Sequence, residues 1–193
     1  MTSPKSGSDR SSIVGMARKY FEPLGGRVIE DRQYVEVALP AHNIRKAADI
    51  IRSTDELDFK LLCDVSGLHW PDSGELELVY HFFGVEHAEG LVLRVRVPEK
   101  RPEVPSIAIG WPTANWHERE AMDMFGFKFE GHPYPERLLI DEDEIQGALL
   151  KSHQVRNEPD VRERFRERAG KPFRLWNPAR PEVKPMDQEP QAD

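Results

Sequence analysis

Residues 115–140 hold the densest set of groups in the chain that could do chemistry: His117, Glu118, Glu120, Asp123 and His132, with Arg119 among them. Three uses fit residues of these types. A zinc centre needs three or four ligands, and a zincin helix supplies two histidines four positions apart. His117-Glu118-Arg119-Glu120-Ala121 opens that way but has Ala121 in the second-histidine position, so His132 would have to join from a loop. A general acid–base pair needs two carboxyls facing one cleft. Glu118 and Glu120 diverge by about 200° on a helix of 3.6 residues per turn, which puts them on different faces. A docking segment needs no reactive pair, only a fixed shape that offers charged and aromatic groups.

The third use fits best. Asn115 is a suitable N-cap, Glu118 stands where a capping-box acid belongs, and Gly126 fits a C′ position, so a helix is expected over 116–125. Ala121, Met122 and Phe125 share its apolar side with the stem of Glu118. Arg119 is placed to pair with Asp123 at i, i+4 on the surface. Gly131-His132-Pro133 reads as a turn that redirects the chain, because the residue before proline is biased to an extended backbone. A metal hydrolase built on His117, Glu120 and His132 is the rival from a different class.

The elements that must position this segment are legible upstream. Ile13, Met16, Ala17 and Tyr20 fall on one helical face, ended by Pro23 and Gly25-Gly26, and Ile44, Ala47, Ala48 and Ile51 repeat the spacing. Two strands are expected at 27–30 and 33–39. Three more alternating runs follow: Leu57, Phe59, Leu61, Cys63 and Val65; then Leu76, Leu78, Tyr80 and Phe82; then Leu91, Leu93, Val95 and Val97. Alternation means one wet and one buried face. The expected fold is α+β, a mostly antiparallel sheet with helices packed on one face.

Composition narrows the function classes. A 38% hydrophobic and 32% charged chain of 193 residues supports one modest core, expected over 12–140. A formal charge of -7 argues against a nucleic-acid groove. No apolar run of about 18 residues is present to span a bilayer. The polar start, MTSPKSGSDRSS, lacks a signal-peptide core, so a cytoplasmic chain is expected. Cys63 is the only cysteine, which excludes an internal disulfide and a four-thiolate iron–sulfur cluster. On its strand it reads as a small core residue. Neither a dinucleotide fingerprint nor a nucleophile elbow occurs.

The ends read differently from the middle. Residues 1–11 are expected to be a disordered tail. Residues 141–193 are expected either to stay disordered or to lie extended against a partner, with a weak helical turn near Val161 and Phe165 before Gly170. Phe173, Leu175 and Trp176 stand as isolated large apolar groups in a Pro-rich stretch.

The run Glu118-Arg119-Glu120-Ala121-Met122-Asp123-Met124-Phe125-Gly126, followed by Phe129-Glu130-Gly131-His132-Pro133, resembles the signature of the C-subunit family of NADH-quinone oxidoreductase, respiratory complex I. The family pattern is ERE, two free positions, an acid, two hydrophobics, a glycine, then FxGHP. The resemblance covers the region from residue 12 to residue 140. Glu136 replaces the first of two arginines usual after GHP, leaving Arg137, and 147–153 keeps only part of the family's second turn.

The resemblance implies a cofactor-free structural subunit in the hydrophilic arm of a hetero-oligomer, beside subunits D, B and I. NADH, FMN, iron–sulfur clusters and quinone would belong to other subunits. Membrane contact would come only through the complex, at the cytoplasmic face of the bacterial plasma membrane. Interface residues would include Glu118, Arg119, Glu120, Asp123, His132, Arg137, Phe173, Leu175 and Trp176, the last three on an extended partner-binding tail of residues 141–193. The equivalent subunit of a membrane-bound hydrogenase, or of an F420H2- or ferredoxin-linked complex, is the alternative.

Overall fold

The computed structural model describes residues 8–30, 34–86, 88–140 and 146–153. The elements run α1 (Ser8–Phe21), β1 (Arg27–Glu30), β2 (Val35–Leu39), α2 (Ile44–Ser53), β3 (Leu61–Trp70), β4 (Glu75–Gly84), β5 (Glu89–Pro98), β6 (Glu103–Pro105), α3 (Pro112–Phe125) and β7 (Lys128–Glu130). β1 to β5 form one sheet in the order β1-β2-β5-β4-β3. Its neighbours are antiparallel except β2 and β5, which run parallel with Val35 opposite Leu91. β6 and β7 form a separate parallel pair.

The α+β expectation holds, and the alternating runs explain why. Val35, Val37 and Leu39 of β2, Leu78, Tyr80 and Phe82 of β4, and Leu91, Leu93 and Val95 of β5 all turn inward. Ile13, Ala17 and Phe21 of α1, Ile44, Ala47, Ala48 and Ile51 of α2, and Ala114 and Ala121 of α3 join them in one apolar cluster. Burying each large aliphatic side chain stabilises the fold by about 1.5–3 kcal/mol before entropy is counted. Trp111 ties two layers together: its ring meets Phe82 edge-on at 5.0 Å and its indole N–H donates to the Ala48 carbonyl.

Three expectations need correction. Cys63 is exposed rather than buried. A bulge between Leu62 and Asp64 breaks the alternation, so Leu62 and Val65 both reach the core while Leu61 stays 49% exposed. An inserted residue is left out of the ladder and turns its side chain away, which a simple period of two does not anticipate. α1 starts at Ser8, inside the segment expected to be disordered, because each residue added to an established helix gains a hydrogen bond. Finally, ordered structure passes residue 140. Gly147, Leu149 and Lys151 donate backbone N–H groups to the Asp123 carbonyl, the Met124 carbonyl and His69 Nδ1.

On the opposite side of β4 a charged cluster crosses the sheet. Glu77, 2% exposed, accepts hydrogen bonds from Arg94 at 2.9 Å and from the Trp70 indole at 2.7 Å, and Arg96 lies 3.3 Å away. Burial alone would push its pKa up. The Arg94, Trp70 and Arg96 hydrogen bonds outweigh that and hold it below the usual carboxylate range.

α3 lies unusually close to the sheet. A Cβ on Gly67 would stand 2.4 Å from the Phe125 ring, so only glycine lets the helix approach this near. Gly67→Ala is therefore expected to destabilise the chain by about 1–3 kcal/mol in urea unfolding, and Phe125→Leu in the same chain to recover part of the loss. An unchanged midpoint in the single variant would show that α3 is free to slide.

Candidate docking site on the third helix

α3 begins earlier than its sequence suggests. Trp111 is the N-cap and Pro112 occupies the first turn, where the missing N–H costs nothing. Asn115 therefore sits inside the helix, not at its cap. Its carbonyl accepts a hydrogen bond from His132 Nε2 at 3.2 Å. Gly126 ends the helix as expected, in the left-handed conformation, with its N–H on the Met122 carbonyl.

The new start changes what Glu118 does. It is not a capping-box acid. Its side chain is fully buried and reaches the loop before α3, where Oε2 accepts from the Ser106 hydroxyl at 2.6 Å and Oε1 from the Ile107 N–H at 2.9 Å. Ser106 Oγ in turn accepts from Ala108 N–H. Arg45 of α2 closes the other side by donating to the carbonyls of Ser106 and Glu130. Burial pushes the Glu118 pKa up to about 7, against the pull of Ser106, Ile107 and Arg45. Beneath it the buried Tyr80 hydroxyl makes no hydrogen bond among the described residues, and burial with the Glu118 charge raises its pKa well above the usual phenol value.

His132 lies 3.7 Å from Glu118 Oε2. The Tyr134 N–H donates to Nδ1, so the ring proton sits on Nε2 and faces Asn115. Burial pushes its pKa down, and Arg119 adds to the effect. A neutral histidine with both nitrogens used is a turn-builder and has no lone pair left for a metal. His117 pairs instead with Asp64, at 3.3 Å. Among the described residues no three His, Cys, Asp or Glu side chains converge as a metal cage would need.

The expected surface ion pair between Arg119 and Asp123 also does not form. Both side chains turn to one loop. Arg119 donates from Nε to the Glu136 carbonyl at 2.8 Å and from Nη2 to the Arg137 carbonyl at 3.0 Å. Asp123 Oδ2 accepts the N–H groups of Leu138 at 2.8 Å, Leu139 at 2.7 Å and Ile140 at 3.3 Å. Five consecutive residues without regular secondary structure thus have backbone groups satisfied by two side chains one helical turn apart. Asp123 is wholly buried, and its Oδ1 has no partner among the described residues.

What the clamp presents outward is apolar and aromatic. Trp116 is 62% exposed and carries the Arg119 guanidinium over its ring at 5.4 Å. Tyr134, Leu139 and Leu149 are exposed as well. Glu120 is exposed and has no ionic partner among the described residues. Of the residues expected at an interface, Glu118, Asp123 and His132 build the site from inside, Arg119 and the Arg137 backbone shape its loop, and Glu120 faces outward. Phe173, Leu175 and Trp176, and the turn expected near Val161 and Phe165, lie outside the described residues. Ser106, Arg45 and Tyr80 belong to the site without any motif that marks them.

The family model described as "Respiratory-chain NADH dehydrogenase, 30 Kd subunit" matches residues 37–159, more than half of the chain. The chain belongs to this family. A relative from Nocardioides sp., the C subunit of NADH-quinone oxidoreductase, is 39% identical over 125 residues, covering 64% of this chain and 50% of its own length. The C subunit of F(420)H(2) dehydrogenase from Methanosarcina mazei is 30% identical over 134 residues, covering 69% of this chain and 84% of its own. The chain spans about half the length of the NADH-quinone oxidoreductase relatives it matches. Among solved structures, the trypsin-resistant fragment of Nqo5 superposes with a TM-score of 0.53 at 26% identity, over 65% of this chain and 98% of the fragment. A chain of the archaeal membrane-bound sulfane sulfur reductase gives a TM-score of 0.62 at 24% identity, over 79% of this chain and 90% of its own, a likeness of fold.

In this member of the 30 kDa subunit family, the buried groups that support α3 make stability depend on pH. Glu118 is a carboxyl with its folded pKa raised from 4.5 to about 7. The folded state then binds more protons than the unfolded one, so the stability contributed by its protonated form is full below about pH 4.5 and is lost as pH rises toward 7. His132, with its pKa lowered, works in the opposite sense below its ordinary value. Comparing wild type with Glu118→Gln isolates the first effect. The stability of wild type relative to the variant is expected to fall by roughly 3 kcal/mol or less between pH 4.5 and 7 in urea titrations. A pH-independent difference would place the titration on another group.

Proposed function

We propose that the chain is a structural subunit of the hydrophilic arm of a proton-translocating NADH:quinone oxidoreductase, and that it helps to assemble the quinone-reducing module. The observation that carries this reading is the loop 136–140 held by Arg119 and Asp123. Buried charge is used to shape an exterior loop, and exposed Trp116, Tyr134 and Leu139 stand around it. Exposed aromatic and aliphatic groups on a rigid support are what a protein interface needs. Glu118 and His132 have their polar atoms turned into the fold, which suits a support better than a reaction centre.

On this reading subunits D, B and I are the neighbours, and NADH, FMN, iron–sulfur clusters and quinone are handled in other chains. No described helix is long and apolar enough to cross a membrane. The reading places the chain at the cytoplasmic face of the bacterial plasma membrane, where it would meet the membrane through the complex as a peripheral part of it. A second reading keeps the role and changes the electron donor to F420H2. Its support is the match over 84% of the length of the methanogen subunit, against about half for the NADH-linked relatives.

A pull-down of the tagged chain from its native membranes, with partners identified by mass, separates these readings. A subunit-D-like chain and an iron–sulfur chain are expected; an NADH-binding flavoprotein among them favours the first reading and an F420H2-oxidising chain the second. Recovery of the chain with no such partner would refute both. Arg119→Ala removes two hydrogen bonds to the loop, which costs the free chain about 1–3 kcal/mol of stability. It is expected to cut partner recovery by about tenfold or more at temperatures where the variant remains folded. Loss in step with unfolding would make Arg119 a residue of the fold alone.

A further inference from the structure

In the five-stranded sheet β1 and β3 each have a strand on one side only among the described residues. β1 is four residues long, whereas β3 runs for ten, from Leu61 to Trp70. Among the described residues no strand pairs with the outer side of β3. A long edge strand offers a row of backbone donors and acceptors that another extended chain can use. Folded proteins protect such edges by covering, charging or bulging them. Here the bulge lies at one end, between Leu62 and Asp64, and leaves 64–70 in regular register with β4.

Beside this edge α3 forms the second wall of a pocket of about 200 Å³. That is smaller than the roughly 300–1,000 Å³ of small-molecule sites and matches the scale of a single side chain. Its floor is apolar, with Val65, Ala121, Met124 and Phe125. Its rim carries two carboxylates, Asp64 from the strand and Glu120 from the helix. Asp64 has Ser66 and His117 as partners within the chain. Glu120 has none among the described residues. The close approach of Gly67 to Phe125 keeps strand and helix at this spacing.

An apolar floor under an acidic rim fits a side chain with a hydrocarbon stem and a cationic head, which is lysine or arginine. We propose that the outer edge of β3 receives an extended segment of a protein partner, added as a sixth strand, with one lysine or arginine of that segment seated between Asp64 and Glu120. In strand addition the main-chain bonds supply affinity and the alternate side-chain pockets supply specificity. The net charge of -7 favours approach of such a basic segment. The inference rests on the chain being a subunit of a larger assembly.

Hydrogen exchange on the full chain alone and within the complex isolated from native membranes tests it, together with Glu120→Lys and Glu120→Gln. Because Glu120 lies on the exposed side of α3, either variant is expected to fold. Alternate amides within 64–70 should exchange about tenfold or more slowly in the complex than in the free chain. Glu120→Lys should lower co-purification of partners by about tenfold, and Glu120→Gln by less. Equal exchange in both states, or full partner recovery with Glu120→Lys, would overturn the strand addition while leaving the subunit reading intact. A chain isolated without partners would overturn both.

Discussion

Two side chains, Arg119 and Asp123, hold the loop on which the candidate docking surface depends. A loop of five residues cannot satisfy its own peptide groups when the chain runs past a helix with no strand beside it. The guanidinium takes the two carbonyls at 136 and 137 and the carboxylate takes the three N–H groups at 138 to 140. Donor and acceptor are matched to a switch in direction of the backbone. The i, i+4 spacing on α3 sets the distance between the two anchors. The backbone shape of this loop, and the position of Leu139 on it, depend on that match.

Two buried glutamates show how the surroundings decide the consequence of burying a carboxyl. Glu77 on the open side of the sheet faces two arginines and an indole N–H, so its ionised form is favoured. Burial of Glu118 in the core outweighs the hydroxyl and the one backbone N–H that bond it, and Arg45 is occupied by carbonyls, so its protonated form is favoured. One glutamate thus strengthens the fold above the ordinary carboxylate range and the other below it. Removing either partner set would leave a desolvated group uncompensated, which costs more than the hydrogen bonds themselves contribute.

Most of the architecture is legible in the sequence because burial imposes a period. The inward rows of β2, β4 and β5 and the buried faces of α1 and α2 show as alternation or helical spacing. Strand pairing does not show: a period of two says which face is buried but not which strand lies beside it, so the parallel β2–β5 contact has no local signal. The strands β6 and β7 are too short to carry a period. The bulge hides the true phase of β3 and misplaces Cys63. In the site, residue types stand out but their partners do not. Asn115 looks like a cap because caps are local, whereas Pro112 sets the real start. Glu118 and Asp123 bond to groups more than ten positions away, beyond the reach of spacing rules.

The strand order dictates a sequence of events as the chain emerges. β1 and β2 can pair as soon as both exist, yet β2 needs β5 on its other side, and two whole strands and a helix are made before β5 appears. β3, β4 and β5 join through neighbours and can close as a meander. The first hairpin therefore waits with one side of β2 unpaired until the meander is finished. A late, long-range closure of this kind slows folding and leaves a backbone edge open to wrong partners in the meantime.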